Sequence, residues 1–363
     1  MVNDPRDADG VRLQQALLGL GRSEQLRMEM IEWLKKIEKR MGYSGSVRDD
    51  ITGPIIDALH TEEDRYEKTL EGGTRFQYLY RTKIARDFLL SEQQNPTHVW
   101  EPQTTRLLQH LTAQTKDDVL IGGAYFGDHA VLLGQQLKNS GRRVHCFEPN
   151  SAQASMLEIN VQLNSLNNLV IQRRGLWSES CQRLRLNGFD SFANVVPASA
   201  TEDGFETVSI DDYCAALDRR LGVVMLDIEG AELFALQGAA RMLRRDQPAI
   251  VFEIHRDYVD WTLGLLQTPI CSLLSSAGYR LFAVRDFHTN QEMDGRCIEL
   301  IPANTVYLEG PPHGFNMLAV MDERLIAGPL FRLVEHVSPK LLRHKSPALH
   351  HPLEGLPRGR TVA

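Results

Sequence analysis

Val119-Leu120-Ile121-Gly122-Gly123-Ala124-Tyr125-Phe126-Gly127, continuing as Asp128-His129-Ala130-Val131-Leu132-Leu133, is the stretch on which the fold of this chain turns. A short apolar run breaks into closely spaced glycines and resumes at helical spacing. That is how a buried parallel strand hands over to a helix N-terminus beside a ligand. Glycines serve there because, lacking a Cβ, they let backbone N–H groups approach a ligand and accept backbone angles that other residues resist. Such a turn also occurs for packing alone, so the strands that follow have to decide.

The next is Arg143-Val144-His145-Cys146-Phe147-Glu148-Pro149-Asn150. It ends in an acid about 20 residues beyond the last glycine, the distance at which such folds place a ribose-binding carboxylate. Glu148 suits two ribose hydroxyls, those of NAD as well as those of S-adenosylmethionine. Two further strand ends narrow the choice: Val223-Val224-Met225-Leu226-Asp227-Ile228-Glu229-Gly230-Ala231-Glu232-Leu233 and Ala249-Ile250-Val251-Phe252-Glu253-Ile254-His255.

Taken with Cys146 to Asn150, these stretches closely resemble the FkbM-type methyltransferases, which use S-adenosylmethionine. The shared pattern is a Gly-Ala-x-x-Gly turn, a Phe-Glu-Pro-Asn strand end, an Asp-x-Glu-Gly-Ala-Glu strand end and a Phe-Glu-Ile strand. It covers about residues 100 to 321, and Asp227 to Glu232 is its most specific part. The chain departs from the pattern at Ile121, where the family usually has an aspartate that contacts the methionine end of the cofactor. Glu101 is the candidate to take its place.

The resemblance implies an α/β class I methyltransferase fold, Rossmann-like, with seven strands, helices on both faces and an antiparallel last strand. Apolar runs at about 118–122, 143–148, 168–173, 222–227, 249–254, 279–284 and 316–321 supply the strands, in the implied order 3-2-1-4-5-7-6. Gly123, Ala124, Tyr125 and Gly127 are assigned to the methionine and ribose side of the cofactor, Glu148 to the ribose hydroxyls, and Pro149 and Asn150 to the ribose and adenine edge. Leu176 or Trp177, after the third strand, is assigned to the adenine. Asp227 is assigned to the cofactor's amino group or to acceptor deprotonation. His255 is the candidate base, because an imidazole titrates near neutral pH. Glu229 and Glu232 open a helix, where a carboxylate also simply favours the positive end of the dipole.

The activity implied is methyl transfer to a hydroxyl of a small molecule, such as a sugar or specialised metabolite. Alternatives are a non-catalytic binding subunit on the same fold, which Ile121 keeps open, and an NAD-dependent oxidoreductase, which Asp227 to Glu232 argue against. Asp227, Glu229, Glu253 and His255 would form an oxygen-rich set suited to magnesium or manganese, although spacing alone does not establish a metal site.

Composition sets outer limits. The chain has 363 residues and a net charge of -7, so no general positive field meets phosphates; nucleic acid and anionic membrane are not expected partners. An apolar share of 42% and a charged share of 24% are those of an ordinary globular protein. Cys146, Cys181, Cys214, Cys271 and Cys297 are scattered and lack a Cys-x-x-Cys pair, which suits reduced thiols and a cytoplasmic location. No apolar run approaches the roughly 18 residues of a membrane span.

The expected layout is a disordered 1–10, a helical extension over 11–100 that acts as a lid or in homo-oligomerisation, a catalytic domain over 101–337 and a disordered tail over 338–363. Within the extension, Leu26, Met30, Trp33, Leu34, Ile37 and Met41 recur at helical spacing. A second long helix is expected through Phe76, Leu79, Tyr80, Ile84 and Phe88, entered at Glu71-Gly72-Gly73-Thr74. Between the third and fourth strands, Cys181 to Glu206 reads as an irregular insert.

Overall fold

Short apolar runs closed by polar or glycine turns become strands here, each within one residue of its expected place. A computed structural model describes residues 5–43, 46–187, 194–197, 204–217, 219–287, 289–293, 295–308 and 314–341. The N-terminal part comprises α1 (Pro5–Gly21), α2 (Glu24–Arg40), α3 (Gly53–Asp57), β1 (Arg65–Thr69), β2 (Arg75–Leu79) and α4 (Lys83–Leu89). The central part runs α5 (Pro102–Gln114), β3 (Asp118–Gly122), α6 (Ala130–Gln136), β4 (Val144–Phe147), α7 (Ser151–Leu163) and β5 (Leu169–Gln172). Four short strands follow: β6 (Gly175–Leu176), β7 (Arg183–Asn187), β8 (Asn194–Pro197) and β9 (Phe205–Val208). The rest is α8 (Ile210–Ala216), β10 (Leu221–Leu226), α9 (Glu232–Gln237), α10 (Ala240–Asp246), β11 (Ala249–Ile254), α11 (Pro269–Ser276), β12 (Arg280–Arg285), β13 (Ile298–Pro302), β14 (Phe315–Val320) and β15 (Phe331–Leu333).

The main sheet has the order β5-β4-β3-β10-β11-β14-β12-β13-β15. Strands β5, β4, β3, β10 and β11 run parallel, while β14 lies antiparallel between β11 and β12. Numbered by the seven expected strands, this is 3-2-1-4-5-7-6 with the last strand reversed. β13 and β15 extend the sheet beyond those seven. The central strand β3 is buried along its whole length. Its residues alternate between two cores: Val119 and Ile121 face α5 and α6, and Leu120 faces α9, α10 and α11. Ile121 is therefore a packing residue.

Two expectations in the N-terminal part are overturned. Residues 5–10, expected to be disordered, belong to α1. The long helix expected through Phe76 is a β-hairpin followed by the short helix α4. Phe76, Tyr78 and Tyr80 alternate with wetter residues, and all three are buried. This period of two outweighs the helical spacing that also fits Phe76, Tyr80, Ile84 and Phe88. Gly72 and Gly73, both at φ 82°, make the hairpin turn instead of a helix entry. On the outer edge of β2, Asn160 of α7 accepts from the Gln77 amide at 2.7 Å and donates to its carbonyl at 2.9 Å. Asn164 treats Arg75 in the same way. One helix thus covers an exposed strand edge with side-chain amides.

The insert after β5 contains a four-stranded sheet of order β6-β9-β7-β8. Residues 338–341, assigned to a disordered tail, instead pack: Ser338 and Lys340 are buried, and the Asp286 amide donates to the Pro339 carbonyl at 2.9 Å. The remainder of that tail, from 342, lies outside the described residues. Among the described residues no helix is long and apolar enough to cross a membrane.

Candidate functional site

The C-terminal ends of β3, β4, β10 and β11 open on one cavity of about 350 Å³, within the usual size range for small-molecule sites. The strand ends are locked together by backbone hydrogen bonds. The Gly123 and Ala124 amides donate to the Phe147 carbonyl at 3.0 and 3.1 Å, and the Asp227 amide donates to the Gly122 carbonyl at 3.0 Å. A Cβ on Gly123 would lie 1.7 Å from the Asp227 carbonyl oxygen, and its φ is +76°, so only glycine fits between these turns. Tyr125 follows at φ 46°, in the left-handed region.

The Tyr125 amide donates to Glu148 Oε2 at 2.8 Å, and the Asn150 amide donates to Oε1 at 2.8 Å. The two amides fix the carboxylate on the cavity wall, and each oxygen of a carboxylate can accept from more than one donor. Pro149, Asn150 and Leu176 line the same end, with Phe147, Gly175, Leu184, Leu186 and Phe205 completing an apolar slot. Three assigned residues stand elsewhere. Ala124 is buried in the core. A Cβ on Gly127 would meet Leu157 and Val131 at 2.6 and 2.8 Å, so this glycine permits close packing of α7 and α6. Trp177 stacks on Phe234, with centroids 4.1 Å apart, away from the cavity.

The opposite end is acidic. Asp227, Glu229 and Glu253 bring carboxylate oxygens within 4.8 Å of one another, and Glu101 and Asp128 line the cavity beside them. Burial pushes the Asp227 carboxyl up to about 7, helped by the Asp128 charge. Glu229 rises to about 8, from burial and then from Asp227 and Glu232. Burial, with the neighbouring acids, also holds Glu253 and Glu101 well above the usual carboxylate range. This end has the electrostatics of a cation site. Glu232 plays a different part: it accepts from the Ile228 and Gly230 amides at 2.8 and 3.0 Å and so holds the turn that presents Asp227 and Glu229.

His255 lines the cavity, with its pKa lowered by burial and by Lys340, against the pull of Asp257. Its Nδ1 accepts from the Asp257 amide at 3.0 Å. In the neutral ring the proton then sits on Nε2, which makes His255 a donor toward the cavity in this arrangement. Three of the four expected metal ligands come together; His255 is not among them.

Asp128, His129, Trp100, Arg174 and Lys340 also line the cavity and were not assigned from the sequence. Asp128 and His129 directly follow Gly127, so the quoted stretch contained them; nothing local marks Lys340, which topology alone delivers. Asp49, Lys83 and Ile84 of the N-terminal part close one side, with Lys83 and Asp49 paired at 3.1 Å.

Residues 122–281 match a family model described as the methyltransferase FkbM domain. Among solved structures, the methyltransferase FkbM from Methylobacillus flagellatus shares 16% identity with a TM-score of 0.34, covering 56% of this chain and 43% of that one. The tRNA (uracil-54, C5)-methyltransferase of Pyrococcus abyssi, in complex with S-adenosyl-L-homocysteine, shares 13% identity with a TM-score of 0.33, over 71% and 44% of the two chains. A SAM-dependent O-methyltransferase from Thermotoga maritima shares 11% identity with a TM-score of 0.35, over 74% and 80%. This chain thus aligns with less than half the length of the first two. No curated protein matches the sequence. Residues 122–281 thus carry the match to a methyltransferase FkbM domain, and the sheet has the strand order expected for it.

Proposed function

We propose that the chain is an S-adenosylmethionine-dependent O-methyltransferase that acts on a hydroxyl of a small molecule such as a sugar or specialised metabolite. The observation that carries this reading is the polarity of the one cavity: a hydroxyl-accepting Glu148 beside an apolar slot at one end, and five carboxyl groups at the other. An adenosyl group with a ribose diol fits the first end, and a sulfonium with an ammonium fits the second. When bound, the cofactor supplies an electrophilic methyl group.

In this reading Glu148 accepts from the ribose hydroxyls, and Phe147, Pro149, Asn150 and Leu176 border the adenosine. Glu101 and Asp128 take the ammonium, filling the role left open at Ile121. Asp227, with a carboxyl near 7, receives the acceptor's proton, and the Nε2–H of His255 orients the acceptor oxygen. Positioning of this kind contributes more than the proton transfer, up to about 7–11 kcal/mol in favourable cases. The acidic group serves the cofactor's cationic end, with a divalent metal as the alternative occupant.

The test is transfer of isotopically labelled methyl from S-adenosylmethionine to a panel of hydroxylated sugars and metabolites. Labelled methyl ethers that disappear with Asp227→Ala support the reading. Label found only on nitrogen, carbon or sulfur acceptors contradicts it.

A further inference from the structure

Helix α2 is amphipathic twice over. Ile31 and Leu34 are almost fully buried against Ile56 and Leu59, forming a small core separate from the two sheet cores. About a quarter-turn away Leu26, Met30, Trp33 and Ile37, with Met41 just past the helix end, line up at spacings of three, four and seven residues; Met30 and Ile37 are half-buried at the border of the small core. Leu26 is 48% exposed, Trp33 57% and Met41 43%. Val11 and Leu13 of the adjoining α1 are exposed as well. An indole and two long aliphatic side chains lined up in water along α2 and its C-terminal cap are the mark of a surface that binds protein.

The occupant is indicated by symmetry. The stripe reads nearly the same in both directions from Trp33, with Met30 and Ile37 on either side and Leu26 and Met41 at the ends. Most of its charges reverse across the same centre: Glu24, Glu29 and Glu32 stand in the first half, and Lys35, Lys36, Lys39 and Arg40 in the second. The two exceptions are engaged within the chain, Arg27 on the Gly21 carbonyl at 2.8 Å and Glu38 on Arg48 at 3.0 Å. Glu29 and Lys36 flank the stripe on one side, two helical turns apart, with Trp33 near their midpoint. Among the described residues neither has an ion-pair partner; Glu29 accepts only from Gln25, at 3.0 Å. A surface that is apolar along its axis and antisymmetric in charge is complementary to itself when turned by a two-fold rotation.

We propose that α2 packs antiparallel against α2 of a second copy of this chain, forming a two-fold dimer. Trp33 meets its symmetry mate on the axis, Leu26 lies against Met41 of the other copy, and Glu29 pairs with Lys36 in two equivalent ion pairs. The active cavities lie outside this contact, so each copy keeps a whole site.

The experiment is sedimentation velocity on the full-length protein up to the high-micromolar range, at low and moderate salt. The wild type is expected to sediment as a dimer. Trp33→Ala, a truncation at an exposed position checked by circular dichroism to keep the fold, is expected to sediment as a monomer. Glu29→Lys turns both ion pairs into repulsions and is expected to weaken the dimer about tenfold or more. The double variant Glu29→Lys/Lys36→Glu restores the pairs with opposite polarity and is expected to restore the dimer. A monomeric wild type overturns the proposal and leaves the stripe to residues 342–363 or to a different partner. A dimer indifferent to both Trp33→Ala and Glu29→Lys overturns it too.

Discussion

At the scale of single residues, the site depends on close approach between two turns. Gly123 is pinned against the Asp227 carbonyl by a contact that no side chain tolerates. Gly123→Ala has to push β3 and β10 apart and hold alanine at positive φ, a conformation that costs about 1–3 kcal/mol by itself. It is expected to lower the melting temperature and to weaken cofactor binding more than tenfold, both readable by calorimetry. The raised carboxyls of Asp227 and Glu229 make a further prediction. Their folded values, about 7 and about 8, lie above those of an unfolded chain, so the folded protein without ligand holds these protons more tightly. Its stability therefore falls as pH rises toward that window, as the protons are lost from buried groups. A cation favours the ionised carboxylates. The preference for S-adenosylmethionine over the uncharged thioether S-adenosylhomocysteine should grow as pH rises through 7 and 8. Equal affinity ratios at low and high pH would remove the cation-binding role from this cluster.

At the scale of elements, the strands around the cavity were legible because buried parallel strands are short, apolar and closed by turn residues. Asp118–Gly122 and Ala249–Ile254 fall where the sequence puts them. The hairpin was not, because its buried aromatics Phe76 and Tyr80 also satisfy a helical spacing, and nothing local decides between the two periods. What settles it is distant: the asparagines of α7 that close the edge of β2. Asn160 also donates to the Phe126 carbonyl at 2.8 Å, linking hairpin, helix and glycine turn. Asn160→Ala leaves buried backbone groups without partners and is expected to cost about 2–3 kcal/mol, measured as a fall in melting temperature. A neutral result would mean that the hairpin is held by its aromatic face alone. The outer strand β13 and the edge strand β15 escaped notice for a similar reason, since Ile298 to Pro302 resembles any short apolar run until its neighbours are known.

At the scale of the whole molecule, residues far apart in sequence are drawn onto one cavity. The motifs between 119 and 255 announce themselves because each joins a strand end to a chemically distinctive residue. Trp100, Lys340, Asp49 and Lys83 arrive from flanking segments with no motif of their own, and only the folded chain shows that they border the cavity. Gly127 and Trp177 show the converse: both sit inside the motif region, yet one serves helix packing and the other stacks on Phe234. The acidic end tests the metal alternative at this scale, since oxygen donors alone would suit magnesium or manganese. Methyl transfer is expected to persist at full rate in EDTA, and loss of activity restored by magnesium would reassign Asp227, Glu229 and Glu253 as metal ligands.

The central claim is that the cavity holds an adenosyl cofactor through Glu148. Isothermal titration of the full-length protein with S-adenosylhomocysteine, S-adenosylmethionine and NAD tests it most directly. The account predicts saturable binding of both adenosyl sulfur compounds and no heat from NAD. In Glu148→Ala, loss of two hydrogen bonds to a charged acceptor is expected to weaken both at least about tenfold. Saturable binding of NAD with no response to either sulfur compound, or affinity unchanged in Glu148→Ala, would contradict the account.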